Sequence, residues 1–177
     1  MFAVTLSPTA ELRPLEPWNA GEFGAHMDRA REHIRPWVGP SFVGDAAIVT
    51  LTKYAEKTAH DGPRIYGIWS DGVLVGGVMF VEFSPAAGTA ELGCWLEPAA
   101  QGRGLITAAC GVLVDWAFGE RGIHRVEWRC RGDNERSAAV AKRLGMTFEG
   151  TAREAWKIGE TFHDKQVWAI LSTDPRR

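Results

Sequence analysis

The chain has 177 residues, is 45% apolar and 24% charged, and carries a formal net charge of −2 at pH 7. This suits one globular domain spanning residues 1–177 with its own core, and excludes both a disordered chain and a general nucleic-acid binder, which would need a strongly basic face. No apolar run approaches the ~20 residues needed to cross a bilayer. The three cysteines, Cys94, Cys110 and Cys130, are odd in number and form no CxxC pair, which suits reduced thiols in the cytoplasm rather than disulfides or a zinc site.

Met1–Leu6 is apolar but too short, and lacks the basic start, for a signal peptide. Leu12–Leu15 reads as a short edge strand, because Pro14 cannot donate to a ladder. Residues from about Ala20 to Arg35 read as a helix, with Phe23, Met27, Ala30 and Ile34 at 3–4 spacing. A second helix runs from about Asp45 to Thr58, with Ile48, Leu51, Tyr54 and Ala55 on one stripe. Arg64–Ser70 and Val73–Val81 flank Asp71-Gly72 and read as a hairpin. Thr89–Leu96 is a further strand. The apolar period then lengthens to that of a helix from Arg103 to about Phe118, where Leu105, Ala109, Val112, Leu113 and Trp116 share a face. Val126–Cys130 reads as a strand, Asn134–Leu144 as a helix stopped by Gly145, and Met146–Gly150 and Lys165–Leu171 as closing strands. The order predicts a mixed α/β fold with one sheet and helices on both faces.

The informative segment is Glu97-Pro98-Ala99-Ala100-Gln101-Gly102-Arg103-Gly104-Leu105-Ile106-Thr107, which joins a strand to a helix. Gly102 and Gly104 let a ligand approach the backbone. The first N–H groups of the helix have no partner within it and sit at the positive end of its dipole, a place suited to a pyrophosphate. Gln101 and Arg103 can add side-chain donors. The segment lacks the lysine of a Walker loop, and Gly102-Arg103-Gly104-Leu105-Ile106-Thr107 ends in Thr where a dinucleotide fingerprint has Gly or Ala.

A second segment, Arg131-Gly132-Asp133-Asn134-Glu135-Arg136-Ser137, leads into Ala138–Met146. Together the two segments resemble the GNAT acetyltransferase superfamily, whose acyl-CoA loop has the form Q/R-x-x-G-x-G/A, with Gln101, Gly104 and Ile106 in those places. Ile106 is larger than the usual last residue, and Ile106-Thr107 is similar to the RimJ/RimL branch. So are the Asn-x-x-Ser pair, the helix ending in Leu144-Gly145-Met146, and Ala90–Leu96 ahead of the loop. The resemblance runs from Leu12 to about Ser172. It implies a single mixed, mostly antiparallel sheet and transfer of acetyl from acetyl-CoA to a primary, α-type amine in a ternary complex. The acceptor would be a protein N-terminus of the ribosomal-protein type or a small amine such as an antibiotic or aminoacyl-nucleotide. It also implies a possible homodimer.

The resemblance assigns Glu91 as base, acting through water, and Ser137 as the acid facing the coenzyme thiolate. On the residues alone, Glu91 is as readily an exposed strand carboxylate, and Ser137 a first-turn serine satisfying backbone N–H groups. Leu96, Gln101, Gly102, Arg103, Gly104, Leu105, Ile106, Thr107, Asn134 and Arg143 are expected at the coenzyme, with Asn134 also a helix cap. Trp37, Tyr66 and Trp69 are expected at the acceptor pocket. Trp95, Trp116, Trp128 and Trp168 read as core. Cys94 adjoins the loop, but with no basic neighbour it reads as a structural thiol rather than an acyl carrier. The five histidines form no HxH or HExxH, so no metal is expected. Two other readings share the motifs: a non-catalytic acyl-CoA sensor, and a transferase using another acyl-CoA such as succinyl-CoA.

Overall fold

The structure, a computed structural model, describes residues 3–39, 42 and 46–175. The strands are β1 (Val4–Ser7), β2 (Ala10–Pro14), β3 (Arg64–Ser70), β4 (Val73–Ser84), β5 (Thr89–Leu96), β6 (Arg125–Arg131), β7 (Thr147–Ile158) and β8 (Thr161–Leu171). The main helices are α1 (Ala20–Ile34), α2 (Ala47–Ala59), α3 (Leu105–Gly119) and α4 (Glu135–Arg143). One sheet orders the strands β1-β2-β3-β4-β5-β6-β8-β7. Every neighbouring pair is antiparallel except β5 and β6, which run parallel. This is the mixed, mostly antiparallel α/β fold expected.

Two cores lie on the two faces. Phe23, Met27, Ala30 and Ile34 of α1 and Leu51 of α2 pack with Trp69 and Trp95 on one face. Leu105, Ala109, Leu113 and Trp116 of α3 and Val140 of α4 pack with Leu92, Val126 and Trp128 on the other.

Three details differ from the sequence expectation. Leu12 lies in an inner strand, because Val4–Ser7 pairs outside β2 and takes the edge. Pro14 is tolerated because it ends the strand. On α2, Leu51 is fully buried but Ile48 is 49% exposed, since the helix meets the sheet through the turn around Leu51. Asp45, the expected start of that helix, lies outside the described residues. The closing strands are far longer than expected, reaching Ile158 and starting at Thr161. The outer strand β7 is largely exposed on both sides, so no period-2 apolar signal marks its distal half.

The two large tryptophans on the α1 face need space that the sheet itself supplies. Gly67 and Gly77 are cross-strand partners on β3 and β4. A Cβ on Gly67 would lie 2.5 Å from Trp69, and one on Gly77 would run into the Trp95 ring and the Tyr66 carbonyl. Strand propensity alone would favour alanine over glycine by ~0.5–1 kcal/mol, whereas overpacking costs ~1–3 kcal/mol. Gly77→Ala should therefore lower the urea midpoint, by about 1–3 kcal/mol of stability. A midpoint at or above that of the parent would show that Trp95 does not need this gap.

Candidate active site

β5 and β6 pair from Thr89↔Arg125 to Leu92↔Trp128 and no further. Beyond that point β5 continues to Leu96 against β4, and β6 continues to Arg131 against β8. The strands therefore part, and a cavity of about 1500 Å³ opens at the split. A β-bulge at Val81, between Phe80↔Leu92 and Glu82↔Glu91, lies beside the place where they part.

The glycine turn forms one lip of the cavity. Pro98–Ala100 makes a single 3-10 turn with proline at its first position, where its missing N–H costs nothing. Gly102 and Gly104 then take φ of 77° and 75°, the left-handed region that glycine enters freely. Gly104 is the residue before α3. Ala108 N–H is the first to reach back four residues, to the Gly104 carbonyl at 3.0 Å. The N–H groups of Leu105, Ile106 and Thr107 thus precede the helical ladder. A Cβ at Gly102 or Gly104 would touch nothing within 4 Å, so this backbone is open to a ligand.

Three guanidiniums surround the lip: Arg103, Arg136 and Arg143 all line the cavity. Arg143 Nε donates to Thr107 Oγ1 at 3.2 Å, which ties α4 to the start of α3. Arg103 donates to Thr9 Oγ1 at 3.3 Å from an exposed position. Gln101 behaves differently from the expectation. Its amide nitrogen donates to His33 Nε2 at 2.8 Å and its oxygen accepts from Arg136 at 3.1 Å. The side chain is thereby a bridge between α1 and α4 rather than a free phosphate donor. Arg136 is the residue that sequence reasoning missed here; only its position between Asn134 and Ser137 pointed to it.

At α4, Asn134 Oδ1 accepts from Ser137 N–H at 3.1 Å, the cap expected from its side chain. Ser137 Oγ also accepts from Trp128 Nε1–H at 2.9 Å. Accepting that bond leaves the serine's own proton as a donor, with Cys130 within its reach. Trp128 is core, as expected, yet also lines the cavity. A buried indole N–H needs a partner, and that rule was the available signal. Leu96 lines the same cavity.

Glu91 enters from the other face of the sheet. Its side chain is only 13% exposed, so it is not a surface carboxylate. Burial raises its pKa, partly opposed by Arg129 and Lys165 and reinforced by Glu82 and Glu127. Arg129 Nη1 lies 3.4 Å from Glu91 Oε2.

Of the three expected acceptor residues only Trp37 lines the cavity. Tyr66 is buried in the core under α3. Trp69 is buried under α1 with its N–H on Glu22 Oε1 at 3.2 Å. β3 lies two strands away from the split, so side chains of the first hairpin do not reach it. Tyr54 and Met79 stand there instead, with the Tyr54 hydroxyl on Met79 Sδ at 3.0 Å. Burial pushes the Tyr54 phenol up to about 12. Cys94 lines the cavity too, but burial pushes its thiol up to about 12, which leaves no thiolate near neutral pH and fits a structural thiol.

Behind the lip sits a fully buried histidine. His26 Nε2 accepts from Trp95 Nε1–H at 3.0 Å, so the ring proton is on Nδ1. That nitrogen is 3.4 Å from Glu97 Oε2, too long for a well-formed bond. Glu97 is also held by Arg29 Nε at 3.2 Å. The group couples α1 to the residue just ahead of the glycine turn.

An open sheet parted between two parallel strands, with a helix start and three arginines at one lip, is a protein built to hold an extended, phosphorylated coenzyme. The chain belongs to the GNAT acetyltransferase family: the family model described as "Acetyltransferase (GNAT) domain" matches residues 10–147. It is accordingly an acyltransferase that uses acetyl-CoA. The chain is 37% identical over 127 residues to the probable N-acetyltransferase YjcK of Bacillus subtilis, covering 70% of each chain. It is 30% identical over 108 residues to the ribosomal-protein-serine acetyltransferase of Escherichia coli, covering 61% of this chain and 60% of that protein. A solved structure of RimL, an L7/L12 alpha-N-protein acetyltransferase with coenzyme A, superposes with a TM-score of 0.88 at 22% identity, covering 96% and 97% of the two chains.

Arg143→Ala removes one charge-assisted donor from the lip, and should raise the KM for acetyl-CoA by roughly 3–10-fold, with kcat little altered. Steady-state kinetics at low and high salt check this; an unchanged KM would take Arg143 off the coenzyme. Burial lowers the pKa of His26 below the ordinary 6.5, with Glu97 opposing and Arg29 assisting. The folded state therefore binds fewer protons than the unfolded state. The histidine's contribution is fully present above pH 6.5 and is lost as the pH falls below it. Urea unfolding of His26→Asn beside the parent should show a stability difference that narrows between pH 7.5 and 5. A difference constant with pH would mean that His26 does not titrate on unfolding.

Proposed function

We propose that the protein acetylates the α-amine of a protein N-terminus, by direct attack of the amine within a ternary complex. The observation that carries this reading is that Glu91 and Ser137 reach one cavity from opposite faces of the sheet, through the split between β5 and β6. Bound acetyl-CoA supplies an activated thioester carbonyl. Residues around the N–H groups of Leu105, Ile106 and Thr107, with Arg103 and Arg143, hold its phosphates, and Leu96 lines its path.

Glu91 takes the proton of the incoming ammonium, through water. An α-ammonium titrates near ~7.7–8.0, and a carboxylate whose proton affinity burial raises is a better acceptor than an exposed one. Ser137, oriented by Trp128 and Asn134, donates its hydrogen bond to the thiolate as the carbon–sulfur bond breaks. Trp37, Tyr54 and Met79 form the acceptor wall. The choice of an α-amine rests on the Escherichia coli relative, which is named for acetylating a ribosomal-protein serine. The three free cysteines suit a reducing, cytoplasmic setting for such a substrate.

Release of free thiol from acetyl-CoA, assayed against peptides beginning with Ser, Thr or Ala and against small amines, tests the acceptor. Peptides should be acetylated at their first residue; transfer to the small amines alone would move the assignment to a small-molecule enzyme. Glu91→Gln should lower kcat by about 10²–10⁴-fold. Ser137→Ala should lower kcat more than it raises the KM for acetyl-CoA. A change confined to that KM would make Ser137 a coenzyme contact.

A further inference from the structure

On the sheet face that carries Glu91, three carboxylates stand in a row across neighbouring strands. Glu82 pairs with Glu91 between β4 and β5, and Glu91 with Glu127 between β5 and β6. Like charges placed opposite one another repel, so such a row needs compensation. β6 supplies it at alternate positions. Arg125 Nε donates to Glu127 Oε1 at 2.8 Å, and Arg125 also holds both oxygens of Glu149 on β7. Glu127 Oε2 in turn accepts from Arg129 Nε at 2.9 Å and faces its Nη2 at 2.6 Å. The remaining arm of Arg129 reaches Glu91 at 3.4 Å. A ladder of alternating charge thus runs from the half-exposed Glu149, through Arg125, Glu127 and Arg129, to the cavity carboxylate.

We propose that Arg129, locked in place by Glu127, is the positioning residue that aims the Glu91 carboxylate into the split and sets how readily it takes a proton. This rests on the reading of Glu91 as base. The ladder does not itself conduct the proton, because a guanidinium does not give one up near neutral pH. The proton that Glu91 accepts leaves through the cavity, and the ladder supplies orientation and field.

The charged groups acting on Glu91 come from three strands: Glu82 on β4, Glu127 and Arg129 on β6, and Lys165 on β8. Lys165 is itself steadied 5.1 Å over the Trp156 ring. Arg129 favours the ionised form of Glu91 and Glu127 opposes it. Changes at these two positions should therefore act in opposite directions.

The test is the pH profile of kcat/KM for the amine in the intact enzyme, between pH 5 and 9. The parent should show a steepening at low pH as Glu91 is protonated. Arg129→Gln should move that break to higher pH, so that its loss of kcat/KM is roughly 5–10-fold at pH 5.5 and only about 2-fold at pH 8.5. Glu127→Gln should move it to lower pH. Arg129→Lys, which keeps the charge but not the fork, should restore the position of the break more than the rate. If Glu91→Gln keeps the break, the base reading fails and this inference with it. If Glu91→Gln removes the break while Arg129→Gln and Glu127→Gln leave it in place, the base stands and the positioning role is overturned. A uniform loss of rate at every pH, in both variants, would equally reduce the ladder to a structural one.

Discussion

Backbone pairing between β5 and β6 stops after Leu92 and Trp128, and most of the chemistry depends on that termination. Elsewhere the sheet is continuous and each face has its own apolar core, so nothing passes from one side to the other. Where the two parallel strands diverge, the α1 face and the α3 face meet in one cavity. A carboxylate projecting from β5 on one face and a hydroxyl at the start of α4 on the other can then address a single bound group. A parallel pair is suited to this, because its crossover helix, α3, begins at the end of β5, beside the opening, and presents its N–H groups there.

Charge is handled differently on the two sides of the opening. At the lip, Arg103, Arg136 and Arg143 gather around a helix N-terminus, and all four features favour an anion. On the sheet face around Glu91, positive and negative groups alternate and are largely paired with one another. The first arrangement attracts a phosphorylated ligand. The second holds a largely buried carboxylate beside paired charges of both signs. The His26–Trp95–Glu97 contacts lie behind both and connect α1 to the strand end from which the turn departs.

Much of this was legible in the sequence where the determinants are local. The glycines of the turn are required by positive φ at Gly102 and Gly104, and Asn134 caps its own helix. The charged residues of β6 also stood at alternate positions, Arg125, Glu127, Arg129 and Arg131, with apolar residues between them. That pattern marks a strand with one ionic face, but does not say which carboxylates the arginines meet. Of the cavity wall beyond the glycine turn, Trp37 was legible and Tyr54 and Met79 were not. Tyr66 and Trp69 are aromatic and adjacent to a hairpin turn, as pocket residues can be, yet their strand lies too far from the split. Tyr54 belongs to the apolar stripe of its helix, and only its contact with Met79 on β4 shows that it lies at the cavity.

The sequence by itself determined most of the element types, the glycine turn at a helix start and the family, because each rests on residues close together in the chain: a turn that only glycine adopts readily, a cap, and an apolar period. The tertiary structure alone decided which side chains share the cavity. The union of Gln101 with His33 and Arg136, of Trp128 with Ser137, and of Arg129 with Glu91 joins residues on separate elements. Their meeting depends on strand order, register and the place where two strands part. Those are set by the packing of the whole sheet against its helices, which no local segment encodes.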